Sequence, residues 1–502
     1  MDDTYDQLTD GGWPELLDRA GDRPWKWVTH WARETPDRPA VSDGQTTWTY
    51  ERLWSEVQRW SGRFGEFTAR CRVIALSAPK SPALLAAMLG VMRSGNTALV
   101  LDPAETVTRL ERVLAEAEPV LVLADDLDEM RQSWPDAEAF DAGDPVGEAA
   151  DDISGSELAW VVYTSGSTGV PKGMARSHAV LAQRAAMAVE RTEMTSDDVS
   201  ALFYDLSFVA SGRVVFPSLL IGAELRLVHA RSTSLASIIA TIADHGVTQL
   251  LAPPQMIKAV VGQCQTDDPR LRTVRHVRLS ADRTQPADLR AALRCLPPHC
   301  VVVISYGAGE TGAISENEFR RGDEVPPGRI PVGQPRKWIE VRITDEYGAP
   351  VQPGEVGMVE VRGRLLMPEP FPRTGVVHHR WIRNGDLARI LEDGSLDLVG
   401  RANARVKIDG VAVDLNEVED ALASHPDVES VVCVRGEDAQ ARAEIVAFVV
   451  AARPIGLAEL REQANRLPPN ARPGAYRRLD RLPVTSRGKV DREALREMVT
   501  CR

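Results

Sequence analysis

Apolar positions along the first 300 residues alternate between helical stripes and short continuous runs. The spacing predicts helices over residues 81–92 and 106–117, and the apolar runs 97–101 and 119–123 predict strands. Strands that are apolar at every position are buried on both faces, which is typical of a mostly parallel sheet covered by helices. Similar apolar runs follow at residues 247–251, 274–279 and 301–304. The pattern therefore predicts an α/β fold.

The pattern changes near residue 340. Short strands separated by Gly, Pro and Asp-Gly turns are predicted at residues 341–344, 356–362, 387–391 and 396–399. A last unit, from about residue 401, combines helical and strand patterns at residues 415–423, 428–434 and 445–450 and from Leu457. The sequence therefore predicts a β-rich subdomain over about residues 340–400, followed by a small α+β unit.

Composition excludes two classes of partner. The chain of 502 residues carries 59 basic and 72 acidic side chains, a formal net charge of −13. Such a protein lacks the excess of cations that neutralises a nucleic-acid backbone or an anionic membrane surface, so we expect neither as a partner. The first ten residues are acidic and polar, and no run of 18 apolar residues occurs. We therefore expect a cytoplasmic protein.

The charges are unevenly distributed. Residues 403–502 carry 16 basic and 16 acidic side chains, so the whole deficit lies in the N-terminal part. Residues 466–490 contain seven cations and a single anion, Asp480. This basic segment is either a solvated face or a docking surface for an acidic partner, and the sequence leaves both interpretations open.

The strongest chemical signal is the loop at residues 163–173, which follows the apolar run 158–162. Backbone N–H and side-chain O–H groups of a loop rich in Gly, Ser and Thr converge on an anion, and a lysine adds a mobile positive charge. The residues expected to bind phosphate are Thr164, Ser165, Gly166, Ser167, Thr168, Gly169 and Lys172. The loop is not a Walker A motif, because Pro171 precedes the lysine and Gly173 follows it.

Segments along nearly the whole chain resemble, in order, the motifs of the adenylate-forming superfamily of acyl-CoA ligases, luciferases and nonribosomal peptide synthetase adenylation domains. They are residues 48–53, 92–98, 163–173, 305–311, 384–387, 400–401, 405–410 and 483–489. The resemblance implies an α/β fold whose large N-terminal domain, residues 1–400, contains two α/β sheet subdomains and the β-rich subdomain. It also implies a hinge at residues 401–404 and a small mobile α+β C-terminal domain, residues 405–502.

The same resemblance implies a two-step reaction. A carboxylic acid is adenylated by ATP with release of pyrophosphate, and the acyl group then passes to a thiol with release of AMP. Forming the adenylate brings two anions together, so positive side chains and Mg²⁺ lower the barrier. The residues implied in catalysis are Thr164, Lys172, Glu310 as the Mg²⁺ ligand, and Lys489 of the C-terminal domain, which must close over the nucleotide.

Nucleotide-binding roles are implied for the phosphate loop and for five later residues: Tyr306, Gly307, Asp386, Arg401 and Lys489. In the family the tyrosine stacks on adenine, and the aspartate accepts hydrogen bonds from both ribose hydroxyls. Two departures from the family pattern lie nearby. Ala308 and Gly309 replace the usual Pro-Thr, which removes a hydroxyl, and Asn403 replaces the usual hinge acid.

The acid-binding segment departs further from the family. Residues 206–223 align without gaps to the family's Phe-Asp-x-Ser helix and place Val209 where an aspartate anchors the α-ammonium group. Asp205 is then positioned for an ammonium group one carbon further along, as in stand-alone enzymes that load β-amino acids onto carrier proteins. It is equally suited to capping the following helix, and Val209 then implies an aryl, keto or hydroxy acid. A rival alignment takes residues 204–207 as the motif and needs four extra residues before Gly222.

The other acid-pocket positions carried over from the family are mostly small or apolar: Ala210, Leu251, Ser280, Ser305, Ala313 and Ile314. Arg213 and Arg278 also fall in this set. Each arginine either binds a second anionic or polar group of the substrate or points outward into a surface ion pair, and we expect the surface ion pair.

The acceptor thiol is expected from a separate molecule, because the chain continues for only 13 residues after Lys489. The peptide-synthetase character of the motifs and the basic segment favour the phosphopantetheine of an acyl or peptidyl carrier protein, in natural-product biosynthesis. Coenzyme A is the alternative acceptor. An inactive nucleotide-binding protein is the non-enzyme alternative. Against it stands the joint presence of five implied site residues, namely Lys172, Glu310, Asp386, Arg401 and Lys489.

Overall fold

A computed structural model describes most of the chain. The described residues are 22–65, 71–141, 143, 153–154, 157–165, 171–230, 232–280, 282–309, 311–326, 328–363, 366, 371, 381–402, 405–408, 411–425, 427–437, 443–451, 453, 455–483 and 490–500. The predictions for seven residues therefore lie outside the described structure, namely those for Gly166, Ser167, Thr168, Gly169, Glu310, Asn403 and Lys489.

The helices begin where the local sequence favours a helix start. Ahead of the third helix, for example, the Ser81 hydroxyl accepts a hydrogen bond from the backbone N–H of Leu84, and Pro82 occupies the first turn. The described α-helices are α1 Pro24–Glu34, α2 Tyr50–Phe64, α3 Pro82–Arg93, α4 Val107–Ala117, α5 Leu127–Ser133, α6 His178–Thr192, α7 Gly212–Ile221, α8 Leu235–Asp244, α9 Pro254–Val261, α10 Pro286–Cys295, α11 Leu415–Ala423, α12 Leu457–Ala464 and α13 Arg492–Thr500.

Two large sheets form most of the N-terminal domain. Their strands are β1 Pro39–Ser42, β2 Thr47–Thr49, β3 Val73–Ser77, β4 Thr97–Leu101, β5 Leu121–Ala124, β6 Glu138–Ala139, β7 Leu158–Ser165, β8 Pro171–Ser177, β9 Val199–Leu202, β10 Glu224–Leu227, β11 Gln249–Ala252, β12 His276–Leu279, β13 Val301–Ala308 and β14 Gly312–Phe319. One sheet has the order β6-β5-β3-β4-β7-β8 and the other β14-β13-β12-β11-β9-β10-β1-β2. Both are parallel inside, with antiparallel strands β8, β14 and β2 at their edges.

Three smaller sheets follow. The strands are β15 Ile339–Thr344, β16 Gly357–Gly363, β17 Ile382–Ile390, β18 Leu396–Arg401, β19 Arg405–Ile408, β20 Val411–Asp414, β21 Val428–Glu437, β22 Ala443–Ala451 and β23 Ala475–Arg478. Strands β15 to β18 form an antiparallel sheet in chain order, whereas β19-β20 and β21-β22-β23 form the sheets of the small C-terminal domain.

The predicted fold class is confirmed. The helix expected at 81–92 differs from α3 by one residue at each end, and the one expected at 106–117 differs from α4 by one residue at its start. The strand expected at 387–391 instead begins five residues earlier, at Ile382, because the Asn384-Gly385 pair lies inside β17 rather than in a turn before it. Among the described residues, no helix combines the length and hydropathy needed to cross a bilayer.

Helix α3 shows how tightly the N-terminal domain is packed. Ten of its twelve residues are buried, and it packs along α2. A Cβ at Gly90 would lie 2.5 Å from the Cβ of Trp60, so the two helices approach each other only because residue 90 has no side chain. Glycine at this position therefore fixes the distance between α2 and α3.

We expect Gly90→Ala to destabilise the protein by about 1–3 kcal/mol, the usual range for an overpacked core. The control is Gly328→Ala, because in the described part of the chain no atom beyond its immediate chain neighbours lies within 4 Å of a Cβ placed there. Urea unfolding followed by tryptophan fluorescence measures both variants. Equal midpoints for the two variants would contradict the proposed contact.

Candidate active site

A cavity of about 990 Å³ lies at the carboxyl ends of β12 and β13, the edge at which open α/β sheets usually bind ligands. Residues of β8, α6, α7, β17 and β18 complete its wall, and the C-terminal domain contributes Asn416 and Val490. The residues predicted for the site that line this cavity are Lys172, Val209, Ala210, Arg213, Arg278, Ser280, Ser305, Tyr306, Gly307, Ala313, Asp386 and Arg401.

At one end of the cavity, the residues predicted to hold adenine and ribose contact each other. The Tyr306 hydroxyl donates a hydrogen bond to Asp386 Oδ2 at 2.8 Å and accepts one from Asn384 Nδ2 at 2.6 Å. Arg401 Nε lies 2.8 Å from the other carboxylate oxygen of Asp386. Burial, reinforced by the negative charge of Asp386, raises the pKa of Tyr306 well above its ordinary value. Tyr306 therefore stays a neutral hydrogen-bond donor at physiological pH.

Two backbone irregularities produce this contact. Between Arg383 and Leu387, strand β17 has more residues than the facing stretch of β16 and so forms a bulge. Within this bulge, Gly385 has a φ of +79°, a value that favours glycine. This bulge takes Asn384 and Asp386 out of the ladder with β16, while Asp386 still pairs with Arg401 of β18. At Gly307, a Cβ would lie 1.8 Å from the carbonyl oxygen of Gly312, so only glycine allows β13 to pair with β14 here.

Lys172 lies on the cavity wall in β8, and its backbone pairs with Thr164 of β7. The two strands therefore bring both ends of the predicted phosphate loop to this cavity, while residues 166–170 lie outside the described structure. Gly309 and Thr311, which flank Glu310, also line the cavity. The same holds for Val490, which follows Lys489 directly.

Ionic contacts hold the C-terminal domain against the cavity. Arg283 forms an ion pair with Asp420 of α11, and Arg329 Nη1 lies 3.8 Å from the same carboxylate. Lys258 Nζ donates a hydrogen bond of 2.9 Å to the backbone carbonyl of Glu429 in β21. These contacts place Val490 on the cavity wall.

Three residues predicted for the acid pocket do not line the large cavity. Ile314 packs in the hydrophobic core, because β14 has an extra residue at this point and Ala313 takes the place facing the cavity. Leu251 lines a neighbouring cavity of about 30 Å³. Asp205 is absent from the wall as well, and the residues that immediately precede the following 3₁₀ turn and α7 are Phe208 and Ser211. Asp205 therefore does not line the cavity beside Val209, and its role stays a prediction.

The expectation of surface ion pairs for Arg213 and Arg278 is wrong. Both line the cavity and face the buried carboxylate of Glu316, whose side chain is 1% exposed. The guanidinium contacts to Glu316 come from Arg191 at 2.6 Å, Arg213 at 3.2 Å, Arg278 at 3.7 Å and Arg336 at 2.5 Å. The Arg213 guanidinium also donates to the hydroxyls of Ser280 and Ser305 at 3.1 and 2.8 Å.

The pairing of β13 with β14 sets the position of this cluster. Glu316 lies directly opposite Ser305, and the Ser305 hydroxyl donates a 3.0 Å hydrogen bond to its carboxylate. Residues directly opposite in an antiparallel pair extend to the same face. The extra residue at Ile314 shifts the register by one, so the bulge decides which side chain of β14 joins the cluster.

The electrostatics of the cluster are dominated by crowded positive charge. Burial alone would raise the pKa of Glu316, but the surrounding arginines lower it below its ordinary value, so Glu316 is ionised. Burial lowers the pKa of Arg213 to about 9, and the neighbouring charge of Arg278 contributes to the shift. The pKa of Arg184 is also lowered, first by burial and then by the positive charges of Arg176 and Arg213.

Sequence reasoning missed several charged residues of the site. Among them are Arg176 of β8, Arg184 of α6 and Arg336, which line the cavity, and Arg191 and Glu316, which do not. The one sequence signal was a charged residue within an otherwise apolar helix, which applies to Arg184 but not to Arg336, which lies in a loop. That signal does not tell which of them meet in space.

Comparison with known proteins agrees with this geometry. The family model for AMP-binding enzyme matches residues 28–369, and the model for AMP-binding enzyme C-terminal domain matches residues 417–489. Because the first of these covers more than half of the chain, the protein belongs to the AMP-binding enzyme family.

Two relatives and one solved structure illustrate the similarity. A dimodular nonribosomal peptide synthase of Bacillus subtilis is 30% identical over 92% of this chain, which spans 20% of that relative's length. An L-proline--[L-prolyl-carrier protein] ligase of Streptomyces coelicolor is 28% identical, with 85% of this chain and 90% of the relative covered. O-succinylbenzoate coenzyme A synthetase of Bacillus subtilis, in complex with ATP and a magnesium ion, has the same fold, with a TM-score of 0.78, 22% identity and coverage of 94% and 99%.

We expect Glu316→Gln to lower the stability at neutral pH by about 3–5 kcal/mol, because it leaves buried arginines without their counter-charge. Since the folded pKa of Glu316 is below its unfolded value of about 4.3, its contribution is complete above that pH and is lost as the pH falls further. The difference in the free energy of unfolding between wild type and variant should therefore become smaller under acidic conditions. Urea unfolding from pH 7 down to pH 3 measures it.

The control for this prediction is Glu318→Gln. Glu318 lies two residues further along β14 and pairs with Arg191 at 2.8 Å, but its side chain is 38% exposed. An exposed pair contributes at most about 1 kcal/mol. A loss in the control as large as that in Glu316→Gln would contradict the special role of the buried carboxylate.

Proposed function

We propose that the protein adenylates a small carboxylic acid with ATP, releasing pyrophosphate, and transfers the acyl group to the phosphopantetheine thiol of a separate carrier protein. The observation that carries the first step is the meeting of Tyr306, Asp386 and Lys172 on the wall of one cavity. Family membership and the ATP and magnesium of the similar synthetase structure support the same chemistry.

Each group has a role that follows from its position. Asp386 offers its carboxylate oxygens to the ribose hydroxyls at one end, with Tyr306 beside it for the adenine ring, and the Asn384 amide donates to the Tyr306 hydroxyl. The acid needs no general base, because its carboxylate is already ionised when it attacks the α-phosphate. Lys172, and Lys489 next to Val490, would stabilise the negative charge that accumulates as the new oxygen–phosphorus bond forms and pyrophosphate leaves.

A magnesium ion is consistent with the residues available. The described residues include no group of three or more acidic, histidine or cysteine side chains that could hold a metal alone. Magnesium in nucleotide sites is usually held by one or two carboxylates together with phosphate oxygens, and Glu310 between Gly309 and Thr311 would supply that carboxylate. Bound there, the ion would supply positive charge beside the phosphates.

The position of Asp205 bears on the choice of acid. The hypothesis of a β-amino acid substrate requires Asp205 to anchor the ammonium group, but the Asp205 carboxylate is not on the cavity wall. The wall around Val209 instead carries Arg213 and Arg278. Positive side chains repel an ammonium group, so we favour the alternative, an acid that lacks an amino group in this position.

The acceptor proposal rests on different observations. The full-length similarity to a prolyl-carrier protein ligase supports a carrier protein. In the basic segment, Arg466, Arg478 and Arg481 are exposed. An acidic partner would meet these charges on the C-terminal domain. Coenzyme A remains the second candidate, since the similar synthetase structure is that of a coenzyme A ligase.

The first test measures pyrophosphate release with hydroxylamine present, over amine-free and amino acids. We expect Asp386→Ala to raise the KM for ATP about 10- to 100-fold, because hydrogen bonds to a charged group contribute about 1.5–3 kcal/mol. The matched control is Asp393→Ala, since Asp393 lies in the turn between β17 and β18 and bonds only with nearby Ser395 and Gln334 among the described residues. ATP binding without acid-dependent turnover would support the inactive nucleotide-binding alternative.

The second test concerns the acceptor. We expect the double variant Arg478→Glu/Arg481→Glu to slow acyl transfer to a carrier protein about tenfold at low salt, because like charges hinder the encounter. Acyl transfer to coenzyme A and the adenylation rate should not change. Arg435→Glu, an exposed arginine of β21, is the control. Rapid acylation of coenzyme A, with no carrier acylated, would overturn the carrier proposal.

A further inference from the structure

The part of the cavity near Val209 and Ser280, where the acid is expected to bind and which is called the acid end below, has an excess of buried positive charge. Arg213, Arg278 and Arg336 all line the wall, and together with Arg191 they share the single carboxylate of Glu316. Glu316 itself does not line the cavity. The surface presented to a ligand is therefore guanidinium, with the neutralising carboxylate behind it.

Two further arginines line the same wall. Arg184 donates to the backbone carbonyl of Thr311 at 3.2 Å, and Arg176 donates to that of Ala175 at 2.7 Å.

The Nε atoms of Arg278 and Arg336 are buried, and that of Arg278 faces the Glu316 carboxylate at 3.7 Å. Both arginines also line the cavity. An oxyanion can be bound by two N–H groups of one guanidinium at once. The planar guanidinium is the side-chain group best matched to carboxylate, phosphonate and sulfonate oxygens.

We propose that the acid activated by this protein carries a second anionic group, and that Arg213, Arg278 and Arg336 bind it. This inference rests on the proposed adenylation, and it narrows the substrate class to short acids with two oxyanion groups. One carboxylate reacts with the α-phosphate, and the second oxyanion stays unreacted against the arginines. Ser280 and Ser305, whose hydroxyls bond to Arg213, hold that guanidinium in place.

A binding experiment tests this inference independently of turnover. Wild-type protein with a non-hydrolysable ATP analogue is titrated calorimetrically with matched pairs: succinate and butyrate, 3-phosphonopropionate and butyrate, isophthalate and benzoate. β-Alanine represents the amino acids. We expect at least one dianionic acid to bind more than tenfold tighter than its monoanionic partner. No preference for the dianion in any pair, or tighter binding of β-alanine, overturns the inference.

A matched pair of variants separates ligand binding from a structural role. Arg278→Met and Arg191→Met each remove one arginine from Glu316, but only Arg278 lines the cavity. We expect Arg278→Met to weaken binding of the preferred dianion about tenfold to a hundredfold and to leave the monoanion unchanged. Arg191→Met should change neither by more than about twofold. Thermal unfolding checks that both variants are folded, and Arg213→Met replaces Arg278→Met if the latter is not.

Two outcomes would overturn the inference at this stage. Equal weakening by Arg278→Met and Arg191→Met would mean that the cluster only supports the fold. Weaker binding of the ATP analogue, with unchanged acid binding, would mean that the arginines bind the triphosphate.

ATP–pyrophosphate exchange with the same acids tests the proposed function separately. Preferred binding of a dianion without ATP–pyrophosphate exchange would refute adenylation but would still support the anion-binding site. Exchange with monoanionic or amino acids alone would support adenylation and overturn the narrower substrate class.

Discussion

The carboxylate of Glu316 is the interaction on which the site depends. It brings together guanidinium groups from α6, α7, β12 and the segment before β15, which are far apart in the chain. Arginines of this kind are tolerated inside a protein only when a counter-charge and hydrogen bonds compensate for their desolvation. A single ionised side chain thus allows a cationic wall to exist inside a buried cavity.

Strand β13 connects this cluster to the nucleotide end. Ser305 donates a hydrogen bond to Glu316, and the next residue, Tyr306, donates one to Asp386. Successive side chains of a strand extend to opposite faces, so one strand contributes to two different groups of contacts. Gly307 then lets β14 approach closely enough to present Glu316. The geometry of the acid end and that of the nucleotide end are therefore mechanically linked.

The distribution of charge suits a reaction between anions. The chain has a formal net charge of −13, yet its central cavity is lined by arginines and Lys172. A cleft with low-dielectric walls and one sign of charge concentrates oppositely charged ligands, so the cavity attracts what the remainder of the surface repels. Composition reports only the sum of the charges and therefore hides this feature.

Much of the fold was readable from the sequence. Apolar spacing located α3, α4 and α11 and most strands to within a few residues, because these elements are set by local periodicity and capping. The motifs also singled out Tyr306 and Asp386, which are in contact on the wall of one cavity. Short-range patterns carry such information because the chemistry of the bound group requires particular residue types at particular positions of a motif.

The acid pocket was different, since its lining is decided by register and packing. One extra residue in β14 places Ile314 in the core and Glu316 in the cluster. No local sequence pattern predicts this extra residue. Asp205 lies off the wall although it is only four residues from Val209. Sequence alone determined the elements and the nucleotide motifs, whereas the tertiary structure decided which charges meet, because pairing between distant strands and helices sets those distances.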